Sequence, residues 1–231
     1  MTAGADLEKL ATKIRQRLAR QLPAPRCELD HEDAFQLVVA TILSAQSTDA
    51  TVNRVTPALF AKYPTPAKLA AAKPAAIEAI VKPTGFFRNK TKAIQGASKL
   101  LCERHGGVVP RTMDEMLELP GVARKTANVV LGTAYGIPSG FIVDTHAGRV
   151  ARRLGLTDEQ DPARVEQDLM ASFPKKTWVD MGHRFVLHGR YVCTSKKPRC
   201  AECPLNDLCA SREADAQGRW TQRADRLART G

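Results

Sequence analysis

An all-α fold is predicted for this 231-residue chain by three observations. Apolar residues recur at helical spacing through most of its length, Pro and Gly repeatedly interrupt that spacing, and no two segments alternate as paired strands would. The composition agrees: 43% apolar with only 5% aromatic residues describes a core filled by aliphatic side chains. The length suits one large or two small domains.

The elements follow in order. Leu7 to Leu18 carries Leu and Ile at amphipathic spacing, and Asp6 and Glu8 near its start favour an ordinary helix over an Arg-rich transit segment. Asp33 to Ala45 differs in kind. Within it, Phe35, Leu37, Val38, Val39, Ile42 and Leu43 fall on nearly every side of the run Ala34 to Ser44, as in a helix lying in the core. It is expected to be the central helix. Helical spacing then marks Ala50 to Phe60, Pro74 to Val81, Asn89 to Glu103, Met113 to Glu118 and Val122 to Tyr135. Thr145 to Leu154, Pro162 to Phe173 and Trp178 to Tyr191 complete the series. There is no internal repeat, and the polar stretch from Ala214 to Gly231 is assigned no function.

Lys and Arg number 35 against 24 Asp and Glu, a formal charge of +11, so the surface field attracts polyanions, with DNA or RNA leading. A generic basic surface would give the same count, and the motifs must decide. No apolar run approaches the roughly 18 residues that span a bilayer, and the N-terminus has no apolar signal core, so a cytoplasmic protein without membrane contact is expected. Of the six cysteines, Cys27 and Cys102 stand apart while Cys193, Cys200, Cys203 and Cys209 crowd together, which favours metal ligation over disulfides.

Between Met113 and Leu131 the chain reads as a helix, a turn at Leu119-Pro120-Gly121 and a second helix from Val122. The first amides of a helix lack carbonyl partners and sit at the positive end of its dipole, so this start is an anion site for a DNA phosphate, with Arg124, Lys125 and Thr126 beside it. The nine residues Leu119 to Ala127 resemble the helix-hairpin-helix of the endonuclease III family, usually Leu-Pro-Gly-Val-Gly-Arg-Lys-Thr-Ala. Gly121 and Arg124 match that pattern, whereas Ala123 replaces its second glycine. A methyl group there is expected to crowd the phosphate or resist a positive φ.

Cutting a glycosidic bond and then the strand calls for an amine that can form a Schiff base with the sugar C1′. A lysine in the first turn of a helix, beside Arg124 and covered by DNA, has two reasons for a lowered pKa, which makes Lys125 the expected nucleophile. A carboxylate nearby would balance the charge developing on the sugar. Asp144 is read as the N-cap of the helix at Thr145, and Val143-Asp144-Thr145-His146 matches the family motif that bears the catalytic aspartate. The linker from Lys125 to Asp144 is about one residue longer than in the family, a difference the loop at Ser139 and Gly140 absorbs. His146 is left out of the chemistry.

The four cysteines are spaced C-x6-C-x2-C-x5-C, with Pro204 after the third. Four thiolates in one compact loop suit a [4Fe–4S] cluster or a structural zinc, although zinc more often takes two tight C-x2-C pairs and here only Cys200 and Cys203 form one. The spacing is similar to that of the endonuclease III iron–sulfur loop, and the resemblance implies the [4Fe–4S] cluster. Its role is expected to be structural, with redox tuning of DNA affinity. Lys196, Lys197 and Arg199, between the first two ligands, are expected to contact phosphates or else to line a solvated turn.

A glycosylase must extrude its target nucleotide and fill the gap. Ser44-Ala45-Gln46-Ser47-Thr48-Asp49 resembles the family's Ser-Ala-Gln-x-Thr-Asp signature, whose glutamine enters the DNA helix, so Gln46 is the expected filler. Gly85-Phe86-Phe87 corresponds to a family loop that usually begins Gly-Leu-Tyr. Phe86 thus stands for the leucine wedge, unless Phe86 and Phe87 are core residues.

The resemblance spans roughly Leu7 to Arg212 and implies two helical subdomains flanking a DNA-binding groove, with Lys125 and Asp144 at its mouth. Residues 1–33 with 141–213 would carry the cluster, residues 34–140 the hairpin, and residues 214–231 form a polar tail. It implies a monomeric, nucleoid-associated base excision repair enzyme on duplex DNA holding oxidised pyrimidines or abasic sites, a bifunctional glycosylase and abasic-site lyase. Two other readings are weighed: a relative that removes a mismatched base without cutting, which lacks the lysine, and a non-enzymatic DNA-binding module.

Overall fold

The computed structural model describes residues 2–211, and among them every regular element is a helix: eleven α-helices and four short 3₁₀ turns. The polar tail lies outside the described residues. Among the described residues no helix is long and apolar enough to cross a membrane. The chain divides into two compact units, Cys27–Ser139 and the pair of segments Met1–Arg26 and Gly140–Gly231.

The Cys27–Ser139 unit holds α2 (Ala34–Leu43), α3 (Asp49–Lys62), α4 (Pro66–Ala70), α5 (Pro74–Val81), α6 (Phe87–His105), α7 (Met113–Glu118) and α8 (Arg124–Tyr135). The central place expected for α2 is what is observed: eight of its ten residues are buried, and α3, α6 and α8 pack around it. Asp33 caps it, accepting the Gln36 amide at 2.8 Å. The segment ahead of α2 is held to α3 by Asn53, which takes the Asp30 amide at 3.0 Å and donates to the Glu28 carbonyl at 2.8 Å. The Pro-opened helix α5 keeps its expected bounds, and so does α7, where Thr112 accepts the Glu115 amide and bonds the Glu115 carboxylate. Helix α4 has no counterpart in the sequence reading, because five residues are too few to show a period.

The other unit is built from α1 (Thr2–Gln21), α9 (Thr145–Leu154), α10 (Pro162–Ser172), α11 (Trp178–Tyr191) and the cysteine loop. Phe141, Phe173 and Phe185 form its aromatic centre, with ring centroids 5.5 to 5.8 Å apart. Helices α9 and α11 meet so closely that a Cβ on Gly189 would stand 2.9 Å from His146 Cβ. Only glycine fits there. Arg184 of α11 donates to the Leu22 and Pro23 carbonyls, and Arg17 of α1 reaches the Pro204 carbonyl and the Asp207 carboxylate, so α1 is pinned to both α11 and the loop.

Candidate active site and cysteine loop

The hairpin is fixed by burial and by one special residue. Leu119 and Val122 are 1% and 7% exposed, and the Val122 amide closes the turn on the Leu119 carbonyl at 3.0 Å. Gly121 between them has φ +81°, and a Cβ on it would lie 2.8 Å from Ala93 Cβ and 3.3 Å from Ile42 Cγ2. Glycine is required twice over, by conformation and by space.

Two expectations about this hairpin are corrected. Helix α8 begins at Arg124 rather than Val122, because Val122 is drawn into the core as part of the turn. Ala123 is the N-cap, with φ −97° and ψ 171°, an extended conformation open to any residue, so its methyl group resists no positive φ. The demand for left-handed backbone falls on Gly121 instead. As a cap, Ala123 offers no side-chain acceptor to the first amides of α8, unlike Asp33, Thr48, Thr65, Thr112, Asp144 and Asp161 at their own helices. Lys125 and Arg124 are exposed in that uncapped first turn.

Asp144 does cap its helix. Its carboxylate accepts the Ala147 amide at 2.8 Å, and the residues before it, Phe141, Ile142 and Val143, are 0%, 2% and 7% exposed. Buried on one side and hydrogen-bonded on the other, the carboxylate is held in one orientation while remaining half-exposed. On the next turns Arg149 donates to the Gly189 carbonyl at 2.7 Å, the Cys193 carbonyl at 3.1 Å and His146 Nδ1 at 3.3 Å. Burial lowers the His146 pKa, leaving the ring a neutral acceptor toward Arg149.

Gln46 and Phe86 share one feature, since among the described residues they are the only non-glycine residues with positive φ, 52° and 45°. Both are exposed, Phe86 by 66%, so Phe86 is not a core residue; Phe87 is half-buried. Each stands at the mouth of a helix, Gln46 before α3 and Phe86 as the N-cap of α6. Strained, exposed residues of this kind collect at functional sites.

Cys193, Cys200, Cys203 and Cys209 line one recess with Val150, Leu154, Val192, Pro198 and His188. Short backbone turns shape it: the Cys203 amide bonds the Cys200 carbonyl, Asn206 the Cys203 carbonyl, and Cys209 the Asn206 carbonyl. The four thiols share this one recess, and a [4Fe–4S] cluster takes four such thiolates. Burial pushes the Cys203 thiol up to about 11, so a thiolate here needs a cationic partner, which iron supplies. Lys196, Lys197 and Arg199 are exposed on this loop.

The sequence reading missed Arg153. It is the largest fully buried side chain among the described residues, 2% exposed, and its guanidinium donates to Cys193 Sγ at 3.2 Å and to the Thr194 and Ser195 carbonyls at 2.7 and 2.9 Å. Its own carbonyl accepts from the Ser211 amide at 3.2 Å. One residue of α9 thus holds both ends of the cysteine loop. Nothing in the local composition marks it, since Arg152 and Arg153, side by side near a helix end, read as solvated charge.

Comparison with known proteins gives a consistent picture. Residues 39–175 match the model of the HhH-GPD superfamily base excision DNA repair proteins, and residues 193–209 match the iron-sulfur binding domain of endonuclease III. The endonuclease III of Synechocystis sp. is 50% identical over 210 residues, covering 91% of this chain and 96% of its own. A solved non-covalent endonuclease III–DNA complex aligns with a TM-score of 0.84 at 42% identity, over 90% of this chain and 98% of that one. A trapped endonuclease III–DNA covalent intermediate aligns at 0.83 and 42%, over 89% and 98%.

Proposed function

The chain belongs to the HhH-GPD superfamily of base excision DNA repair proteins and, within it, to the endonuclease III family, and from that premise we propose how its residues act. It excises oxidised pyrimidines from duplex DNA and nicks the strand at the abasic site that results, working as a cytoplasmic, nucleoid-associated monomer. The observation that carries this reading is Lys125, exposed in the uncapped first turn of α8.

A backbone phosphate is received by the first amides of α8, with Arg124 beside it, Gly121 shaping the turn that presents them and Ala123 exposed at the cap. Gln46 and Phe86 fill the space left by the extruded nucleotide. The Lys125 amine, as free base, attacks C1′; the C1′–N bond breaks and its electron pair leaves with the base, which takes up a proton. The Asp144 carboxylate balances the positive charge that develops on the sugar during this step. Ring opening gives an imine between Lys125 and C1′. Loss of a C2′ proton then expels the 3′ phosphate by β-elimination, and water releases the lysine. Lys196, Lys197 and Arg199 hold phosphates of the flanking duplex.

Cys193, Cys200, Cys203 and Cys209 hold a [4Fe–4S] cluster, which supplies a covalent cross-link to the loop. The proposal is tested by incubating purified, iron-loaded protein with a duplex carrying one thymine glycol. Base release and a β-elimination nick at the same position are expected. Base release with an intact strand would point to a monofunctional glycosylase, and binding with neither product to a DNA-binding module.

A further inference from the structure

The turn that presents Phe86 is tied to a single buried residue. The 3₁₀ turn Lys82–Thr84 ends α5, with the Gly85 amide closing on the Lys82 carbonyl at 3.3 Å and the Thr84 hydroxyl donating to the Val81 carbonyl at 2.8 Å. The chain then passes through two consecutive positive-φ positions, Gly85 at φ +70° and ψ 159° and the left-handed Phe86 at φ +45°, before α6 starts at Phe87. A left-handed phenylalanine is strained and persists only where its neighbours fix it. No side chain caps α6 to help.

Lys90, one turn into α6, supplies the fixing contacts from both of its nitrogens. Its ammonium donates to the Thr84 carbonyl at 2.7 Å, and its amide donates to the Phe86 carbonyl at 3.1 Å. The carbonyls on either side of the Gly85–Phe86 step are thereby clamped to one residue. Lys90 is 5% exposed, an unusual place for a lysine, and burial lowers its pKa. Among the described residues its ammonium has the Thr84 carbonyl as its hydrogen-bond acceptor and no carboxylate partner. A leucine or methionine would fill the same space without the desolvation cost, so the amine is there for the carbonyl.

We propose that Lys90 is the positioning residue of the Phe86 wedge, holding the turn in the left-handed form that keeps the phenyl ring projecting from the protein. This rests on the reading of Phe86 as the residue that enters the DNA stack. Once Lys90 no longer anchors Thr84, the turn relaxes to an unstrained conformation. Phe86 then reaches the duplex only by paying that conformational cost at each encounter.

The test uses the iron-loaded protein, a duplex with 2-aminopurine opposite a tetrahydrofuran abasic analogue, and a second duplex with thymine glycol. Wedge insertion unstacks the aminopurine and raises its fluorescence. Lys90→Met keeps the length and the apolar stem but removes the donor. It is expected to lose most of the fluorescence rise at saturating protein and to slow excision of thymine glycol about tenfold in kcat, with KM within about twofold. Reaction with a preformed natural abasic site, which has no base to extrude, is expected to stay within about twofold of wild type. Phe86→Ala is expected to show the same losses. If Lys90→Met does not accumulate folded, Lys90→Gln replaces it, because its amide ends one bond short of the Thr84 carbonyl; the same losses are expected. A full fluorescence rise and unchanged excision in the Lys90 variant, with Phe86→Ala defective, would overturn the Lys90 inference alone. Wild-type behaviour in Phe86→Ala would overturn the wedge reading and the inference with it.

Discussion

Gly121→Ala probes the hairpin at the point where its geometry is most exacting. The added methyl group meets two costs. At φ +81° an L side chain is strained, which costs about 1 to 3 kcal/mol. Its Cβ would also stand 2.8 Å from Ala93 Cβ and 3.3 Å from Ile42 Cγ2, both on helices of the same core. Overpacking of that kind adds about 1 to 3 kcal/mol. The sum, about 2 to 6 kcal/mol, corresponds to a melting temperature lower by roughly 5 to 20 °C for a chain of this length. Relief requires the turn to move away from α2 and α6, which carries the first amides of α8 with it, so binding to an abasic-site duplex weakens as well. The control is Ala123→Gly two residues on. Ala123 is extended and exposed at the N-cap of α8, so glycine there relieves no contact, and its cost of about 0.4 to 1 kcal/mol through the unfolded chain is offset by the N-cap preference for glycine over alanine. Thermal melting of the two variants against wild type, with DNA titrations alongside, decides the matter. A Gly121→Ala protein melting within about 2 °C of wild type, or an Ala123→Gly protein that is the worse of the pair, would show that the hairpin does not depend on glycine at 121.

Three further outcomes are expected. Reversing Lys196 and Lys197 to Glu weakens binding to damaged and undamaged duplex alike and lowers the slope of log affinity against log salt by about 2; an altered lesion preference at unchanged affinity would remove their phosphate role. Arg153→Met leaves the Cys193, Thr194 and Ser195 acceptors without their donor, so purified protein is expected to hold less iron and to lose its visible absorbance faster in chelator. Equal iron content and equal lifetime would show that Arg153 does not organise the loop. His183 of α11 has its pKa lowered by burial, so the unfolded chain takes up its proton first as pH falls. The stability this residue contributes is complete above about 6.5 and is lost as pH drops below that value. Denaturant midpoints on either side of that value, at about pH 7.5 and about pH 5.5, in wild type and His183→Gln check this, the variant being expected to show the shallower fall.

The helices legible in the sequence are those whose ends carry their own chemistry. Pro74 opens α5, Thr112 opens α7 and Asp144 opens α9, and each begins where those residues place it. The start of α8 was displaced because Val122 satisfies the apolar period equally well as the last turn residue, and its burial against the core is a tertiary fact. At the candidate site, Lys125, Asp144 and the four cysteines stand in short contiguous motifs, so they could be picked out from sequence. Arg153 and Lys90 could not. Each is a cation whose partners are backbone carbonyls, and carbonyls have no residue type to betray them; a buried arginine or lysine reads in sequence as surface charge. Phe86 was legible only through its family motif, because composition alone reads a phenylalanine as core; what turns it outward is two successive positive φ values that no composition reports.

The covalent bond that Lys125 makes to the sugar is read by borohydride trapping. Borohydride reduces an imine between an amine and C1′ to a stable link, so wild-type protein incubated with a thymine glycol duplex is expected to give a protein–DNA adduct in a denaturing gel, with the modified peptide containing Lys125. Lys125→Ala is expected to bind the duplex and yield no adduct. Asp144→Asn, which preserves the cap because asparagine also accepts the Ala147 amide, is expected to bind while trapping far more slowly. An adduct of wild-type yield in Lys125→Ala, or one mapped to another amine, would show that Lys125 is not the nucleophile.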